Sequence, residues 1–79
     1  MPNHWVIIFE SVHYVMKAEK VLKEQGLKIL LIPTPRKISS DCGVALEILG
    51  ERIDIIKEIL KKNKLVPEGY YKKEKMEES

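Results

Sequence analysis

Trp5-Val6-Ile7-Ile8-Phe9 is the stretch that decides the fold. It is an unbroken apolar run of β-branched and aromatic residues, too short for a normal helix. That composition predicts a strand buried on both faces, in the middle of a sheet. Glu10-Ser11 ends it, and Ser11 is a candidate helix N-cap whose hydroxyl can accept from the free N–H groups of a first turn. A helix is expected over Val12–Gln25. Its stripe is Val15, Met16, Ala18, Val21 and Leu22, with Lys17, Glu19, Lys20, Lys23 and Glu24 on the other side. Gly26 follows where a left-handed residue is wanted, and Lys23 suits the negative end of the helix.

Moving outward, Leu27–Ile32 forms a second apolar run, and Lys28 makes it look less central than the first. Pro33 and Pro35 end it. Val44–Leu49 alternates Val44, Leu46 and Ile48 with Ala45 and Glu47, which predicts a strand with one buried face. After Gly50, a helix is expected over Glu51–Lys62, with Ile53, Ile56, Ile59 and Leu60 inward and Ile55 beside them. Glu51 and Asp54 suit its positive end, and Lys61, Lys62 and Lys64 its negative end. Leu65–Lys72 holds a short last strand or docked extended segment, placed at an edge by Pro67.

The order β-α-β-β-α-β implies an α+β, ferredoxin-like sandwich: a four-stranded sheet with two helices on one face. The first and third strands should be central and the others at the edges. An open sheet face or free edge would allow a homodimer or another protein to pair with it.

With 79 residues, the chain supports one core, here assigned to residues 1–72, followed by a charged tail at residues 73–79. A single cysteine allows no internal disulfide, which points to a reducing, cytoplasmic setting. No secretory pattern or membrane-length apolar segment is visible. A net charge of +2 spread over many charged residues argues against nucleic acid as a partner.

One segment is explained by neither packing nor periodicity: Pro33-Thr34-Pro35-Arg36-Lys37-Ile38-Ser39-Ser40-Asp41-Cys42-Gly43. Its prolines restrict the backbone as it leaves the second apolar run. A thiol acts chemically as the thiolate, which cations, hydroxyl donors and backbone N–H groups stabilise. Arg36, Lys37, Ser39, Ser40 and the Gly43 turn offer all three around Cys42. Gly43 is expected to let successive N–H groups converge in an anion nest, and Asp41 to cap the turn. The alternative is a non-catalytic protein-interaction module in which a small buried thiol only packs or senses oxidation.

The run Pro33-x-Pro35-Arg36-x-Ile38-Ser39-Ser40-x-Cys42-Gly43, with Ala18-Glu19-Lys20-x-Leu22 and Gly26, resembles a family of short bacterial selenium/sulfur carrier-like proteins. The similarity covers most of residues 5–50. It implies that Cys42 carries sulfur or selenium as a persulfide or selenopersulfide, with Arg36, Ser39, Ser40 and Gly43 around it. A cysteine desulfurase-type donor and an acceptor protein are the implied partners, and no cofactor is called for. The protein would be a carrier or adaptor more than a complete catalyst. Familiar sulfur-relay carriers open a helix with Cys-Pro, which this chain lacks.

Other residues weigh less. His4 and His13 show no metal-ligand spacing with Cys42; His4 should be exposed, and His13 could line the loop as an accessory. Ser39 and Ser40 lack a nucleophile elbow, and Arg36-Lys37 lacks a glycine-rich phosphate loop. Tyr70, Tyr71 and the tail lysines could stack RNA, against the plainer reading of edge packing and a solvated tail.

Overall fold

The computed structural model describes residues 4–36, 43–49 and 53–72. Six elements follow in the order β1 (His4–Ile8), α1 (Val12–Glu24), β2 (Ile29–Pro33), β3 (Val44–Leu49), α2 (Ile53–Lys62) and β4 (Gly69–Lys72). The sheet order is β2-β3-β1-β4, and each neighbouring pair is antiparallel. This is the α+β sandwich of ferredoxin-like type, with β1 and β3 inside and β2 and β4 outside. The expectations for Met1–Asn3, Lys37–Cys42, Gly50–Arg52 and Lys73–Ser79 lie outside the described residues.

Alternation along the strands sorts the apolar side chains into two layers. Ile7, Ile29, Leu46 and Ile48 face the helices and form the main core with Val15, Ala18, Leu22, Ile56, Leu60, Phe9 and Leu65. The opposite face carries a smaller cluster of Val6, Ile8 and Ala45, with Ile32 beside it. Burying both faces of β1 explains its unbroken apolar run.

Five local expectations are corrected. Glu47 does not point to solvent: it is 4% exposed beneath a hydrogen bond to His4, and Ala45 is buried too. β3 is therefore buried on both faces, as its central position requires. His4, expected on the surface, is partly covered by the same contact, with its Nδ1 2.9 Å from the Glu47 carboxylate. Met16 is half exposed because it lies on the flank of α1, off the Val15–Ala18–Leu22 line. Ser11 occupies the N-cap position, but its hydroxyl makes no capping bond; its carbonyl accepts from the N–H groups of Tyr14 and Val15 instead. Pro33 closes β2 as a strand residue and does not lie beyond it.

The reason Pro33 is tolerated is visible in the ladder. The Thr34 N–H donates to the Gly43 carbonyl at 3.1 Å, and the Leu49 N–H to the Lys28 carbonyl at 3.2 Å. Even-numbered residues of β2 thus turn their backbone polar groups toward β3, and odd-numbered ones turn theirs outward. Pro33, which has no N–H, falls on the outward side, where no ladder bond is lost.

Both helices stop in the same way. Gly26 is left-handed (φ 80°), its N–H reaches the Lys23 carbonyl, and the Leu27 N–H reaches that of Leu22. After α2, Lys64 takes the equivalent position with φ 59°; its N–H reaches Lys61, and the Leu65 N–H reaches Leu60. These are Schellman closures, and each swings an apolar residue back to the core. Leu65, at 2% exposed, is the clearer case.

Candidate functional site

The antiparallel pairing brings one group of residues to one end of the sheet. Pro33 pairs with Val44 at the last rung between β2 and β3. The Thr34–Gly43 hydrogen bond adds one more closure and forms the neck of the loop over residues 35–42. β1 runs antiparallel to β3, so its exit toward Ser11 lies at the same end. The N-terminus of α1 and the C-terminus of α2 therefore flank the loop's end of the sheet.

Arg36 and Gly43 are described, and both are exposed. Lys37, Ser39, Ser40 and Cys42 lie outside the described residues. Among the described residues, nothing lies within 4 Å of a Cβ built on Gly43. The expected anion nest at Gly43 involves backbone outside the described residues. His13 is exposed in the first turn of α1, with its ring edge-on to Tyr14 at 5.6 Å. It stands at the expected end of the sheet.

Electrostatically, this end carries both signs, since Glu10 directly precedes the N-cap of α1 and the C-terminus of α2 shares the end. The first turn of α1 contains no acidic residue, and Ser11 offers its N–H groups no side-chain acceptor. The helix therefore presents its partial positive charge with nothing of its own to offset it. Arg36 adds a full positive charge at the loop's entrance. A hollow of about 190 Å³ lies beside this end, lined by Glu10, Tyr14, Lys64 and Val66. A larger groove of about 400 Å³ runs between the helices, lined by Gln25, Asp54, Ile55, Glu58, Ile59 and Lys62. No histidine is among its described lining residues.

The two histidines do not meet. His4 opens β1 opposite Leu49, whereas His13 follows the other end of the strand, a separation of roughly 15 Å or more at about 3.3 Å per strand residue. Among the described residues, no three His, Cys, Asp or Glu side chains gather as metal ligands. No helix among them is long and apolar enough to cross a membrane.

The tyrosines do not form one platform either. Tyr70 pairs with Ile7 on the helix side, under the Lys57 ammonium at 5.0 Å from its ring centroid. Tyr71 pairs with Val6 on the opposite side and lies across Gly69. Burial raises the Tyr70 phenol above its ordinary range. Two adjacent strand residues cannot stack successive bases on one face, so the RNA reading loses its geometric basis.

Sequence reasoning missed an apolar patch at the outer edge of β2. Leu30 and Leu31 are 48% and 43% exposed, and Val12 and Met16 are equally open on α1. The signal was available: Ile29–Pro33 has no charged residue, unusual for an edge strand.

Comparison with known proteins adds the family. Residues 4–72 match the family described as "Putative Se/S carrier protein-like". The chain is 39% identical over 74 residues to a "Putative sulfur carrier protein" of Aquifex aeolicus (strain VF5). That stretch covers 91% of this chain and 37% of the relative, so the chain spans little more than a third of the longer protein. No solved structure matches.

Proposed function

From the premise that the chain belongs to the Se/S carrier-like family, we propose that Cys42 is its working atom. At family level the chain is a sulfur carrier. The finer reading is that Cys42 holds the cargo as a persulfide, or as the selenium equivalent, between a donor enzyme and an acceptor protein. The donor would be of cysteine desulfurase type, and the setting a reducing one such as the cytoplasm.

The transfer balances without an external oxidant. The Cys42 thiolate attacks the terminal sulfur of the donor's persulfide. A new S–S bond forms as the old one breaks, and the donor leaves as a thiolate. Release reverses the logic, with an acceptor nucleophile taking the terminal sulfur and Cys42 returning to thiolate.

The observation that supports this reading is where the loop's neck sits. The Thr34–Gly43 bond forms the neck of the segment containing the chain's single cysteine at the sheet end where α1 presents its N-terminus, whose first turn carries no acidic residue. A thiolate or persulfide anion is favoured in such a field. Arg36 adds to the same effect, and Lys37, Ser39 and Ser40 contribute the remaining cation and hydroxyl donors of the loop. His13 is an accessory residue at the same end.

The test is intact mass after incubation with a cysteine desulfurase and cysteine. The expected product is the chain plus one sulfur atom, absent in Cys42→Ala and formed several-fold more slowly in Arg36→Ala. A wild-type chain that labels readily with a thiol reagent yet gains no sulfur would overturn the carrier reading for Cys42.

A further inference from the structure

We infer that the outer edge of β2 is a docking site for an extended segment of another protein, one whose apolar core is flanked by acidic residues. This inference does not depend on the sulfur chemistry of Cys42.

Three features of β2 point to strand addition. The outward-facing residues Ile29 and Leu31 present their N–H and C=O groups, and Pro33 its C=O, with no partner strand among the described residues. Free edges of this kind are normally blunted by charge, and Ile29–Pro33 contains none. The strand is also apolar on both faces, as a central strand would be. Leu31 faces the helix layer and Leu30 the opposite one, and both are nearly half exposed.

The helix layer extends the site. Tyr14 of α1 and its C-cap Gln25 face α2, because each lines a hollow together with α2 or the segment after it. Val12 and Met16 lie on the other side of α1, at 53% and 50% exposed. A strand added to β2 would place one set of alternate side chains against Leu31, Val12 and Met16. The other set would lie beside Leu30 and Ile32.

Charge and area select the occupant. Lys28 precedes the strand and Arg36 follows it, both exposed. Nearby Glu19 is already engaged by Lys23 at 3.2 Å. In a two-fold antiparallel self-pair centred on Leu31, Lys28 of one copy would approach Arg36 of the other, an unfavourable like-charge contact. Four half-exposed side chains also hide only on the order of 400 Å² per copy, against ~800 Å² per partner in persistent complexes. A second copy is therefore disfavoured. An acidic-flanked strand that binds and leaves fits both the charge and the modest area.

The probe is a synthetic peptide of alternating valine and threonine with paired aspartates at each end, added to the intact chain. Amide hydrogen exchange resolved by NMR is the readout. The expected result is protection of the Ile29 and Leu31 amides, unchanged in Cys42→Ser. Affinity should fall about fivefold or more in Lys28→Glu, and binding should be lost in Leu31→Lys with the fold retained. Peptide binding without protection of those two amides, or no binding, overturns the proposal. So does protection in the peptide-free chain that disappears on dilution, which would make a second copy the occupant.

Discussion

The two outer strands of this sheet are finished in opposite ways. β4 is short, and cations flank its aromatic layer: Lys57 stands over Tyr70, and Lys72 of the strand itself over Trp5 at 5.8 Å. Tyr71 folds back across Gly69 on the other side. β2 has no charge of its own and leaves two leucines nearly half exposed. The chain therefore guards one edge with cations and aromatic rings and the other with Pro33 alone. The second edge leads directly into the cysteine loop. Edge strands without protection are aggregation hazards, so leaving this one open makes sense where it is used.

Three measurements would break or sharpen that contrast. The largest effect is expected from Trp5→Ala, because Trp5 packs against the main core from beneath Lys72. A loss of about 2–3 kcal/mol in denaturant unfolding is expected. A loss below about 0.5 kcal/mol would show that the β4 side is not held by its aromatic layer. Next is Tyr71→Ala, which uncovers Gly69 and the neighbouring Val6. About 1 kcal/mol is expected, read in the same way.

The smallest effect concerns pH. Burial raises the Tyr70 phenol, so the folded state favours its neutral form. Its contribution is complete below the ordinary tyrosine range and is lost as pH rises through the raised folded value. Tyr70→Phe should therefore gain on the wild type between about pH 9 and about pH 11 in thermal midpoint. Parallel curves for the two proteins over that range would remove Tyr70 from the alkaline response.

Much of the architecture was legible because hydrophobic pattern and strand centrality are linked. The continuous run from Trp5 to Phe9 marked β1 as central, and Gly26 marked the end of α1. Glu47 was misread because alternation normally assigns a carboxylate to the solvent side. Its burial depends on His4, a partner 43 residues away that local pattern cannot reveal. Lys64 was read for its charge and not its backbone, since nothing local marks a lysine that adopts a glycine-like turn. Met16 was off by one helical position, which is enough to move a side chain from core to flank. At the site, the sequence named residue types, and the topology supplied the shared location of the loop's neck, the α1 N-terminus and the α2 C-terminus. The β2 patch was overlooked because it needs two elements, strand and helix flank, seen together.

Pro33 has a consequence for anything that lies along β2. A visitor can exchange hydrogens with Ile29 and Leu31, but the next outward position has only an oxygen to offer. Zippering therefore stops about one rung short of the neck. Whatever follows on the incoming chain must lift away there, next to Thr34 and Gly43, delivered to the loop's doorstep and not bound past it.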